Sequence, residues 1–78
     1  MSDTVEKLIQ IAAQRFTAEA TALRPQDDIF QKLGINSVDA LDLLSELEMK
    51  FDVEIPDYEL QGVHTFEGLA KVIDRRRT

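Results

Sequence analysis

Apolar residues recur at helical spacing in three stretches of the chain. Between residues 3 and 18, Val5, Leu8, Ile9, Ala12 and Phe16 follow the i, i+3, i+4, i+7 rule of one helix face. Asp3 with Glu6 three residues later resembles a capping box. Between residues 37 and 51, a step of about 100° per residue places Ala40, Leu41, Leu44, Leu47 and Phe51 on one broad arc, read as the core face. Asp39, Asp42 and Glu46 fall within about 60° of each other on the opposite side, with Val38 and Met49 beside them. Glu48 falls inside the apolar arc and reads as a snorkelling or hydrogen-bonded carboxylate. Between residues 66 and 75, Phe66, Leu69, Ala70 and Ile73 repeat the helical spacing behind Thr65, a suitable N-cap.

The intervening segments predict shorter elements. Residues 19–36 form a long connection with Pro25, Asp27, Asp28 and Gly34, yet it also holds Leu23, Ile29, Phe30, Leu33 and Ile35. A connection of this length packs its own side chains or serves a function, so these apolar residues are expected over the helices, with a short helical turn at 28–33. Val53 and Ile55 alternate like a strand, but Pro56 and the lack of a partner strand favour a packed loop. Asp57 is placed to cap a brief third helix through Leu60 or Gln61, stopped by Gly62. The fold class that follows is all-α: four helical segments, three longer and one short, with a long first loop, in a single domain over 1–78.

Charge adds a direction to this picture. The net charge is −6. Residues 1–36 carry −1, residues 37–60 carry −7 and residues 61–78 carry +2. The acidic balance argues against nucleic acid as a partner and against an anionic membrane surface. No apolar run approaches the ~20 residues of a membrane span. The acidic start lacks the basic and apolar regions of a secretory signal, which points to the cytoplasm. A segment as one-sided as 37–60 repels itself, and is suited either to solvation or to steering a basic partner. Arg75, Arg76 and Arg77 stand where positive charge complements a helix C-terminus.

Most familiar chemistry is missing. The chain has no cysteine, and its one histidine, His64, reads as a loop residue ahead of Thr65. The glycines at 34, 62 and 68 form no phosphate loop, and no spaced-acid calcium loop occurs, so no metal site is expected. Ser37 is distinctive among the three serines. It follows Gly34-Ile35-Asn36 and opens the second of the long helices, either as its cap or, with Asn36 capping, at the first helical position. Backbone N–H groups and the dipole at that end help to hold a phosphate-like group. No basic side chain stands close in sequence to activate the hydroxyl, so Ser37 is better suited to modification by another protein than to catalysis.

The run Leu33-Gly34-Ile35-Asn36-Ser37-Val38-Asp39, then Leu41-Asp42-Leu43-Leu44, Leu47-Glu48 and Phe51-Asp52-Val53-Glu54-Ile55-Pro56-Asp57, resembles an acyl carrier protein over nearly the whole chain. The resemblance implies a four-helix bundle with three longer helices and one short helix, and a non-catalytic carrier. A separate Mg²⁺-dependent phosphopantetheinyl transferase would attach 4′-phosphopantetheine from coenzyme A to Ser37, and the imported thiol would carry an acyl group as a thioester. It also implies a monomer that docks partner enzymes with basic patches through Asn36, Val38, Asp39, Asp42 and Glu46, with Glu48 beside them. The usual triplet of the family is Asp-Ser-Leu, whereas here it is Asn36-Ser37-Val38. Ser45 stands where an apolar residue is common, and Met49, one turn later, is expected to take over that contact. A general fatty-acid carrier and a dedicated lipid or polyketide carrier both fit, as alternatives to an aminoacyl or peptidyl carrier and to an unmodified helical adaptor.

Overall fold

The computed structural model describes residues 3–77. Four α-helices order the chain: α1 (Asp3–Arg15), α2 (Ile29–Leu33), α3 (Ser37–Phe51) and α4 (Phe66–Arg77). Two 3₁₀ helices, Ala20–Ala22 and Asp57–Leu60, lie in the connections. No strand occurs among the described residues. The nearest thing to sheet structure is an antiparallel bridge between Asp28 and Thr65, which fixes the start of α2 beside the start of α4.

The apolar rows meet in one core. Leu8 and Ala12 of α1, Leu47 of α3, and Phe66 and Ile73 of α4 have no exposed surface. Helix α1 packs most extensively on α4 and less on α3. The long first connection is packed as expected: Leu23 and Ile29 are buried, and Leu33 and Ile35 pack against the core. Val53 and Ile55 are buried in the loop after α3, and Glu48 Oε2 accepts the Ile55 N–H at 2.8 Å. Glu48 is therefore a hydrogen-bonded carboxylate that anchors this loop to α3.

Several local expectations change. Helix α1 stops at Arg15, three residues short of the expected end. Thr17 adopts φ 55°, and the Ala18 N–H turns back to the Ala13 carbonyl at 2.8 Å, a left-handed closure of the helix. Asp3 lies inside α1, so it is a first-turn carboxylate, favoured by the dipole, and not a cap with Glu6. The segment at 57–60 is 3₁₀, and Pro56 occupies its capping position, which puts Asp57 inside it. Helix α4 runs on to Arg77. Its arginines have internal partners: Arg75 and Arg76 reach Glu59 at 3.2 and 3.5 Å, and Arg77 stacks 5.4 Å from the centre of the Phe51 ring.

The face of α3 is also rotated from the expected arc. Leu43 is buried and Leu41 is 57% exposed. The row Leu43, Leu47 and Phe51, spaced four residues apart, makes the core contact. Ala40, Leu41 and Leu44 flank that row and serve a different purpose.

Candidate functional site

The site is built around the loop between α2 and α3. Gly34 ends α2 with φ 64°, a left-handed conformation that glycine adopts without steric cost. Asn36 then caps α3. Its side-chain oxygen accepts the Asp39 N–H at 2.9 Å, and the Asp39 carboxylate accepts the Asn36 N–H at 3.4 Å. This reciprocal box leaves Ser37 as the first residue of α3, exposed and without a capping duty. Asn36→Ala removes one half of the box and is expected to lower stability by about 1 kcal/mol. A thermal melt checks this as a fall of roughly 4–8 °C.

Ser37 borders a cavity of about 250 Å³. Ala40, Leu41, Leu43 and Leu44 of α3 form one wall. Ile29 and Phe30 of α2, Leu60 and Val63 from the loop before α4, and Leu69 of α4 complete it. Every lining residue except Ser37 is apolar. Ser37 and Leu41 are exposed as well as cavity-lining, so both residues stand at the rim. The elements that close this space are tied together near Asp28. Its Oδ1 accepts the Gln31 N–H at 3.0 Å as the cap of α2, and its Oδ2 lies 3.2 Å from His64 Nδ1. His64 is thus an exposed loop residue paired with a capping carboxylate.

The other residues singled out in the sequence lie on the outward side of α3. Val38 is 65% exposed and Met49 79% exposed. Asp42 is exposed, and Ser45 is exposed in mid-helix. Glu46 is partly covered and pairs with Arg15 at 2.7 Å. The cavity itself escapes a local reading: Ile29 and Phe30 were expected only to pack over the helices, and Val63 was not singled out. The Arg15–Glu46 pair left no local signal at all. Among the described residues no group of three or more His, Cys, Asp or Glu is placed to hold a metal ion. No helix among them is long and apolar enough to cross a membrane.

A family model described as the phosphopantetheine attachment site matches residues 6–73. That span takes in most of α1 and α4, the whole of α2 and α3, and the cavity between them. The exposed serine, the capped helix and the apolar cavity thus lie within one matched unit, and the chain belongs to the acyl carrier family, whose members carry covalently attached 4′-phosphopantetheine.

Proposed function

We propose that Ser37 is the attachment residue and that the carried group is an acyl chain of fatty acid or related lipid or polyketide synthesis. When bound, the prosthetic group supplies the thiol that holds the acyl chain as a thioester. The chain's own residues supply an acceptor and a shelter. Ser37 offers an exposed hydroxyl at the start of a 15-residue helix, where the helix dipole favours a phosphodiester. Ser45, eight residues on, lies about 12 Å further along the helix, from a rise of about 1.5 Å per residue, and does not line the cavity. Ser2 lies outside the described residues.

The observation that carries the acyl reading is the cavity beside Ser37. Its apolar wall suits an uncharged aliphatic chain. The ammonium of an aminoacyl group would lose its hydration there without a compensating partner. The protein is read as a carrier primed by a separate transferase, as the family match supports, and its one histidine, His64, pairs with Asp28. Loading assays test the choice: enzymes that transfer acyl groups should charge the primed protein, and amino-acid-activating enzymes should not. Charging by the latter alone overturns the acyl reading.

The outward face of α3, with Asn36, Val38, Asp39, Asp42, Glu46 and Met49, is the docking surface for the transferase and for chain-modifying enzymes. Individual surface ion pairs contribute only about 0–1 kcal/mol, so docking is fast, weak and salt-sensitive. Met49 adds apolar contact. Met49→Ala is expected to weaken a partner complex by about fivefold, the effect of losing roughly 1 kcal/mol at an interface. Titration calorimetry with an acyl-transferring partner checks this, and an unchanged Kd rejects the contact.

A further inference from the structure

We infer that Arg15 is a specificity residue of this carrier: it occupies Glu46 from within the chain and narrows charge recognition on α3 to Asp42. The inference rests on the docking reading above and ranks the carboxylates within it.

Helix α3 carries four carboxylates, and three are engaged by the chain itself. Asp39 accepts the Asn36 N–H in the capping box. Glu48 accepts the Ile55 N–H at 2.8 Å. Glu46 Oε1 accepts from Arg15 Nη1 at 2.7 Å. Asp42 is exposed and makes no hydrogen bond or ion pair among the described residues. At about 100° per residue it stands between Glu46 and the outward residues Val38 and Met49.

Arg15 is the last residue of α1, and its pair with Glu46 joins α1 to the outward side of α3. A cation from a partner can use Glu46 only by displacing a short, charge-assisted bond. It also meets the like charge of Arg15 as it approaches. Asp42 requires no such exchange. The partner that fits this surface presents an apolar patch to Val38, Leu41 and Met49 with one cation placed for Asp42. A row of cations matched to the whole acidic stripe fits it less well.

The test uses the full chain, coenzyme A, Mg²⁺ and a broad-specificity phosphopantetheinyl transferase, with initial rates of adduct formation as readout. Arg15→Gln should lower KM for the carrier about two- to fivefold with kcat unchanged, the range expected for an exposed pair. The Arg15→Gln/Glu46→Gln double variant should lose that gain, and so should Arg15→Gln at high salt. Asp42→Asn should raise KM by more than Glu46→Gln does. Melting curves confirm that each variant is folded. Normal labelling of the wild type with no gain in Arg15→Gln, or a larger loss in Glu46→Gln than in Asp42→Asn, overturns this inference alone. A wild-type chain that takes no adduct overturns the carrier reading and this inference with it.

Discussion

Ser37→Ala is expected to abolish attachment of phosphopantetheine while leaving the fold intact. The two parts of this outcome have separate causes. Attachment requires an oxygen that forms the new bond to phosphorus, and alanine has none, so the loss is complete and not a matter of degree. The fold survives because Asn36, and not Ser37, caps α3. Alanine is the best helix former for an exposed first-turn position, and a surface change of this kind stays within about 0.5 kcal/mol. Intact mass after incubation with transferase and coenzyme A, together with a circular dichroism melt, separates the two parts. Residual adduct at wild-type levels would move the attachment site elsewhere. Collapse of the melt would give Ser37 a structural role that its exposed position does not support.

Phe66→Ala produces the largest expected loss of stability. Phe66 is fully buried and opens α4 directly after Thr65, whose hydroxyl accepts the Gly68 N–H at 3.0 Å. Its own N–H donates to the Asp27 carbonyl at 3.4 Å, so the ring is set where the first connection meets α4. Truncation of a buried phenylalanine costs about 3–5 kcal/mol. A chain of this length has only about 4–12 kcal/mol in total, at 0.05–0.15 kcal/mol per residue. The expected fall in Tm is at least ~12 °C, and urea unfolding should show the midpoint moving with it. A shift under about 4 °C would mean that the Phe66 ring is not central to the core.

How much of this was legible depends on the distance over which the signal acts. The start of α3 was readable because Gly34, Asn36 and Ser37 lie within four residues, although Asn36 and Ser37 stayed alternatives for the cap and the Asp39 half of the box was not read. Its buried face was not fully readable. Leu41, Leu43, Leu44 and Leu47 spread over a wide arc, and only the packing of other elements selects Leu43 over Leu41. The end of α1 was missed because Phe16 continues the apolar pattern while Thr17 takes a left-handed conformation that threonine does not advertise. At 57–60 the error was one residue: Pro56, not Asp57, stands at the capping position.

The candidate site divides in the same way. Ser37 is local and could be read directly, whereas the choice of Asn36 over Ser37 as the cap needed the structure. The cavity draws on α2, α3, the loop at 60–63 and α4, so no window of sequence contains it. Arg15 and Glu46 are 31 positions apart. The acidic stripe was visible from spacing, but which of its carboxylates remain free depends on neighbours that only the tertiary structure brings together.

The central claim, that Ser37 is the serine esterified by another enzyme, is tested most directly by peptide-level mass mapping. The full chain is incubated with coenzyme A, Mg²⁺ and a phosphopantetheinyl transferase, digested and sequenced by fragmentation. A single phosphopantetheine group on the peptide bearing Ser37 is the predicted result. A group on Ser2 or Ser45, or an unmodified chain with several transferases, would contradict it.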